Sequence, residues 1–243
     1  MPPRKPHPKG KLRGWEKEPP PPPPDPEPEP DLPPDPSGDP TPTHSPIVFV
    51  YLHRLDNDAA PLEVDAYKRY LDDLRLWMWE KSGGLTWYHS EFIVDGVYED
   101  TVPSGYNSYA HFAQDYAGAI HSSQGKLGMV LFNSKPDEGG YAGAYTGHAA
   151  HGFWAIDAMA GRPFPEEPYS GWQKDLWPGT SLGGYAHELC HAFGDVGHWP
   201  GLMSEHWNWP NTYLDQQTIA EMEKSPWLAR GPRPETGNWR RWS

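Results

Sequence analysis

Cysteine, basic residues and long apolar runs are all scarce in this chain of 243 residues. The one cysteine, Cys190, excludes an internal disulfide and fits a reducing compartment. No apolar run is long enough to cross a bilayer, so we expect no membrane span. Lys and Arg number 20 against 33 Asp and Glu, which gives a formal net charge of -13. This acidity argues against nucleic acid or an anionic membrane surface as the main partner.

The first 46 residues are rich in proline and poor in apolar side chains. They hold 19 of the 31 prolines and a single Trp. Such a segment cannot bury enough apolar surface to offset the entropy of ordering it. We therefore expect residues 1–46 to be a disordered arm and residues 47–243 to form one folded domain. The Pro-rich composition favours an extended spacer, and a domain with an aromatic groove is the kind of partner it would bind.

The N-terminus is basic, but no apolar segment of the kind found in signal peptides follows it. For the chain as written we expect a cytoplasmic protein, and for a chain with an additional leader a secreted one.

Residues 47–243 contain 12 of the 13 Trp and all 13 Tyr, enough to build a large aromatic core. Apolar periodicity predicts the element order β-α-β-α-β-β-α-loop-α, and hence an α+β fold with a mixed sheet and helices packed on it. The predicted strands are residues 47–52, 85–98, 126–133 and 152–158. The predicted helices are residues 64–82, 106–121, 182–193 and 214–228, and residues 135–147 are predicted to be a Gly-rich loop.

The run His187-Glu188-Leu189-Cys190-His191 carries the clearest chemistry. Two histidines four residues apart on a helix project from one face, so their imidazoles can share a metal ion. Zn²⁺ suits such nitrogen ligands, and a catalytic zinc takes three protein ligands and keeps one position open. Glu188 lies beside the first ligand and can act as general base on a zinc-activated water.

The third ligand must come from beyond the helix. Gly194 lets the chain turn, and His198 is then the first imidazole that can return to the metal. Other candidates for this third position are Asp195, Glu205, His206 and, on a later helix, Glu221 or Glu223.

The sequence HELCHAFGDVGH, followed by Leu202-Met203-Ser204, resembles the metzincin clan of zinc metallopeptidases. That clan carries HExxHxxGxxH and then a tight turn with a methionine beneath the metal. His187, Glu188 and His191 fall on the pattern. His198 comes one residue late, and no tyrosine directly follows Met203.

The resemblance, which is specific over residues 181–204, implies one catalytic zinc held by His187, His191 and His198. It implies a twisted mixed sheet with an active-site helix and a C-terminal helix. It also implies an endopeptidase that binds an extended peptide substrate along an edge strand, here residues 152–158.

Several residues have simpler interpretations. Cys190 is expected to be a small buried hydrophobe, and His148 and His151 to be satisfied histidines rather than a second metal site. The segment Trp207-Asn208-Trp209-Pro210 could contact substrate or sugar, or pack in the interior. The main alternative function is a non-catalytic module that keeps the metal and binds glycan or protein through its Trp-rich face. A structural zinc of that kind would be closed by a fourth protein ligand.

Overall fold

The computed structural model describes residues 46–54, 61–98, 105–106, 108–132, 142–152, 154–164 and 176–236. All of them belong to one unit, Asp35–Ser243. The predicted arm, apart from Pro46, lies outside the described residues.

A five-stranded sheet forms the centre of the fold. Its order is β3-β1-β4-β6-β5, with β1 parallel to β3 and β4, β4 parallel to β6, and only β5 antiparallel. The strands are β1 (Ile47–Arg54), β3 (Ser90–Tyr98), β4 (Leu127–Phe132), β5 (Ala142–Tyr145) and β6 (His148–His151). A separate antiparallel pair joins β2 (Leu85–Thr86) to β7 (Ala229–Arg230). The fold is therefore mixed α/β with a mostly parallel sheet.

Helices cover both faces of this sheet, which explains why β1 is an uninterrupted apolar run. They are α1 (Pro61–Ser82), α2 (Tyr109–Gln124), α3 (Ala155–Met159), α4 (Gly179–Phe193), α5 (Leu202–Glu205) and α6 (Gln216–Met222). Alternate β1 side chains enter two cores: Val48 and Val50 pack with α2, whereas Phe49 and Tyr51 pack with α1 and α4. None of the helices in the described ranges combines the length and hydropathy needed to cross a bilayer.

Buried tyrosines connect α4 to α1. The hydroxyls of Tyr67 and Tyr185 are hydrogen-bonded at 2.6 Å, and Tyr70 donates to the backbone carbonyl of Leu182. The Tyr185 ring meets the rings of Tyr67 and Tyr70 edge-on, at 5.7 and 5.4 Å. Because these side chains are buried, the helix that carries His187 is held in a fixed position against the sheet.

The prediction of a strand at residues 152–158 is wrong. Residues 155–159 form α3, and the neighbouring strand β6 lies inside the sheet rather than at its edge. The observed edge strand β5 falls in the predicted Gly-rich loop. Its sequence, AGAY, lacks the β-branched residues used to recognise strands, and it is a strand because it pairs with β6.

Two further boundaries differ from the prediction. Residues 85–98 form two strands, β2 and β3, instead of one. In place of the predicted helix 214–228, the structure has the shorter α6, which follows the N-cap Asp215 and ends at Met222. Its predicted buried face, Leu214, Ile219 and Met222, is confirmed.

Candidate metal centre

Glycines on α4 allow the segments around the site to approach the helix closely. A Cβ at Gly183 would lie 1.8 Å from the backbone carbonyl oxygen of His206, and one at Gly184 would lie 2.9 Å from Nε2 of His151. Glycine lowers helix propensity by about 1 kcal/mol relative to alanine, so α4 owes its stability to packing rather than to local preference. The same glycines bring two further histidines to the face that carries His187.

Three histidines converge at the C-terminal half of α4 and the loop after it. One ring nitrogen from each of His187, His191 and His198 lies within 4.8 Å of the other two. The Nε2 atoms of His187 and His191 are 3.1 Å apart, and the His198 ring centroid is 5.2 and 4.9 Å from those of the two helical histidines. Helical spacing accounts for the first pair, and the loop supplies the third member as predicted.

The loop that carries His198 is anchored at both sides. The amide of Val196 donates to the carbonyl of Gly194, and the hydroxyl of Ser204 donates to the carbonyls of His198 and Trp199, at 3.0 and 2.7 Å. Gly194 ends the helix with φ 175, which is extended backbone, so the turn does not use the left-handed conformation expected of a helix-ending glycine.

The electrostatic surroundings favour neutral imidazoles. Burial, followed by the nearby His191 and His206, lowers the pKa of His187 to about 3. Burial and the neighbouring His198 also lower the pKa of His191, while a hydrogen bond with the Val196 backbone opposes this. Neutral imidazole is the form that coordinates metal, and such ligands usually donate their other N–H to a carbonyl or carboxylate.

One ring nitrogen of His187 lacks a well-formed hydrogen bond. This atom, Nδ1, is buried without a partner of good geometry, although the nearby Leu202 backbone raises the pKa of the ring.

The three histidines form a donor set that suits zinc. Neutral nitrogen donors bind this borderline ion well. Among the described residues no fourth His, Cys, Asp or Glu places a ligand atom in the group. The donor set therefore fits a zinc ion with an open position.

Glu188 follows His187 on α4 and is half-buried. Burial raises the pKa of its carboxyl to about 7. A carboxyl with a pKa near neutrality can both accept and return a proton at physiological pH.

The alternative ligands lie elsewhere or have other partners. Asp195 is exposed, and Glu205 accepts a hydrogen bond from Asn208 at 3.3 Å. Glu221 pairs with Lys224 at 2.6 Å, and Glu223 accepts from Nε of Arg230 at 2.9 Å. None of these carboxylates belongs to the histidine group.

Two further histidines lie beside the group: the sequence offered His206 as an alternative third ligand and His151 as a satisfied histidine. His206 opens the 3₁₀ helix His206–Asn208, and its ring centroid is 5.3 Å from that of His187. His151 is buried on β6, where burial and then His206 and His187 lower its pKa to about 3. Strand alternation places His148 on the opposite face of β6, so the two members of HxxH cannot share a metal.

Other residues around the centre are buried or half-buried. Cys190 is buried, as expected, and burial raises the pKa of its thiol to about 12. Met203 lies on α5, 1 % exposed in the larger core. Trp209 is half-buried and packs against Trp77 with ring centroids 4.6 Å apart, so the core covers part of its ring.

No family model matches the sequence, and no curated protein matches it. Functional assignment therefore rests on the geometry and chemistry of the site.

Proposed function

We propose that this protein is a zinc-dependent endopeptidase. The observation that carries the proposal is the convergence of three imidazoles, His187, His191 and His198, with no fourth ligand from the described residues. Three protein ligands are the hallmark of catalytic zinc sites, whereas structural sites have four. The mixed sheet and the HELCH helix packed on it agree with what the resemblance to metzincins implies.

Bound zinc would lower the pKa of a water ligand to about 7 and polarise a carbonyl group. The Glu188 carboxylate takes a proton from the attacking water and delivers it to the leaving amine. The carboxyl must be ionised for the first transfer and protonated for the second.

We assign to His206 the role of hydrogen-bond donor to the scissile carbonyl oxygen. It stands beside His187 but outside the ligand group, and it is half-buried. Burial, then His198, lowers its pKa, so the ring is neutral at physiological pH and keeps one N–H to donate. A preorganised donor at a developing oxyanion is typically worth 10²–10³-fold in rate, as an order of magnitude.

The edge strand β5 is the surface we assign to an extended peptide substrate. Among the described residues its only strand neighbour is β6, so its outer backbone groups face away from the sheet. Ala142, at its start, pairs with His151, whose ring is close to His187 and His206. A peptide added to this edge by backbone hydrogen bonds would pass the histidine cluster.

The non-catalytic alternative has less support. A closed structural site needs a fourth ligand, which the described residues do not supply, and the core covers part of the Trp209 ring. Trp207 remains available, but its ring packs edge-on against His206 at 5.3 Å.

Metal analysis combined with proteolysis tests the proposal. The full chain, purified without chelator, is expected to carry about one zinc and to cleave an unfolded protein substrate. Treatment with 1,10-phenanthroline is expected to abolish cleavage, and added zinc to restore it. Bound zinc without cleavage of a broad peptide library would instead support the non-catalytic module, and absence of zinc would refute a metal centre.

A further inference from the structure

A cavity lies on the face of the sheet that α2 covers, away from the histidine cluster. Its volume is about 440 Å³, within the roughly 300–1,000 Å³ typical of small-molecule sites. Its side chains come from α2, from the segment before it and from the β5–β6 hairpin: Tyr106, His111, Gln114, Asp115, Tyr145 and His148. Because His148 faces α2 and His151 faces α4, the sheet separates this cavity from the metal centre.

Two residues of this lining carry buried polar atoms without partners. Gln114 is 7 % exposed, and neither its Oε1 nor its Nε2 has a hydrogen-bond partner. The Nδ1 atom of His148 is buried and unpartnered as well. An unsatisfied buried polar group destabilises a protein by about 1–3 kcal/mol, and native structures contain few of them. Such groups beside a cavity point to a ligand that completes their hydrogen bonds once the side chains turn toward it.

The residues that line the cavity determine which ligand can complete these hydrogen bonds. The lining contains the carboxylate of Asp115 but no Lys or Arg among the described residues, so an anion would meet repulsion and no counter-charge. An ammonium group only donates, and would leave Nε2 of Gln114 without an acceptor. A hydroxyl both donates and accepts, so neighbouring hydroxyls can satisfy both atoms of the amide and the carboxylate together.

The aromatic side of the cavity favours a ring over a linear polyol. Tyr145 is 65 % exposed and stacks on His148 with centroids 5.3 Å apart and planes inclined by 27°. Its outer face is therefore held in a defined orientation with nothing covering it among the described residues. An apolar ring face could pack there while hydroxyls at its rim reach Gln114 and Asp115.

We propose that this cavity binds a monosaccharide through Gln114, Asp115, His148 and the ring of Tyr145. Burial lowers the pKa of His148, so its imidazole is neutral and can serve a hydroxyl as donor or acceptor. The site lies across the sheet from the metal centre and shares Tyr145 with β5, the strand proposed to bind peptide.

Titration of the full, metal-loaded chain tests this proposal. Methyl glycosides of glucose, galactose, mannose and N-acetylglucosamine serve as probes, with tetramethylammonium and inorganic phosphate as charged comparisons. Ligand-observed NMR is expected to show saturable binding of at least one glycoside and of neither ion. Saturable binding of either ion in place of a glycoside, or of no probe at all, would overturn the proposal.

Variants locate the binding in the cavity. Gln114→Leu removes both amide atoms, and Tyr145→Ala removes an exposed ring whose loss should leave the fold intact. Each is expected to weaken glycoside binding at least tenfold, whereas Gln124→Leu, an exposed position on the same helix, leaves it unchanged. Glycoside binding that survives in both cavity variants would place the sugar elsewhere and refute this site.

Discussion

At the residue scale, the three imidazoles of the metal centre differ most in exposure. His187 is buried, His191 is half-buried and His198 is exposed on a loop. The helical pair is fixed by the 3.6-residue period of α4, whereas His198 depends on the hydrogen bonds of Ser204 to its loop. His206 is as near to His187 as His198 is, yet it stays outside the group.

Alanine substitutions of His198 and His206 should show which of the two histidines binds zinc. We expect His198→Ala to weaken zinc affinity more than about 100-fold, beyond the usual 10–100-fold effect of losing a residue that only supports a ligand. His206→Ala should retain zinc and lose catalytic rate through kcat rather than KM. Competition with a chromophoric chelator measures the affinity. The reverse order of effects would make His206 the third ligand.

Sequence spacing was sufficient to find His187, Glu188 and His191, because a helix places residues i and i+4 together wherever it lies. His198 could also be predicted, because few imidazoles follow the turn. The sequence offered His206 only as an alternative ligand and His151 only as a satisfied histidine, because both reach the site through sheet register and through glycines that let separate segments approach α4. A strand assigned at residues 148–151 would have shown that His151 and His148 face opposite sides.

At the scale of elements, the close contact between α4 and the 3₁₀ helix His206–Asn208 depends on Gly183. The backbone carbonyl of His206 occupies the space where a side chain at 183 would start. The contact is made by the main chain of His206, so no rotamer change can relieve a clash.

The strand and helix boundaries near the site were hard to predict from the sequence. This is because β5 and α3 form through tertiary pairing and packing, not through their own propensity.

A matched pair of glycine substitutions tests the contact at Gly183. Gly183→Ala should destabilise the fold by about 1–3 kcal/mol or more through overpacking, and should weaken zinc binding by displacing the site. Gly118→Ala, on α2, meets only an ordinary 3.5 Å contact with the His148 ring and should be neutral or stabilising by up to about 1 kcal/mol. Urea unfolding of both variants measures the difference, and equal stability of the two would contradict the close approach.

At the scale of the whole molecule, the metal centre lies on one continuous stretch of the chain that begins with α4. Ligands come from α4 and from the loop after it, and this loop leads into α5, whose Met203 lies in the larger core. The central strand could be anticipated from the apolar run of residues 47–52, and α4 from the HELCH run with Gly194 after it. The strand order could not, since it depends on pairings between distant segments.

Metal removal should therefore lower the stability of the entire domain. Zinc at 100 times its dissociation constant adds about 2.7 kcal/mol to a protein that binds it only when folded. For a domain of this size we expect chelation to lower Tm by roughly 5–10 °C. Differential scanning fluorimetry with and without EDTA measures the shift. Magnesium in place of zinc serves as the control, and an unchanged Tm would mean that the three histidines hold no metal.

The most direct test of the central claim compares the native chain with Glu188→Gln and with Glu80→Gln, an exposed glutamate on α1. Zinc content and the rate of peptide cleavage are measured on the same preparations. We predict about one zinc per chain in all three, full activity in Glu80→Gln, and a rate lowered by about 10²–10⁴ in Glu188→Gln. Undiminished cleavage by a zinc-loaded Glu188→Gln protein would contradict the account, because its proposed general base would then be dispensable.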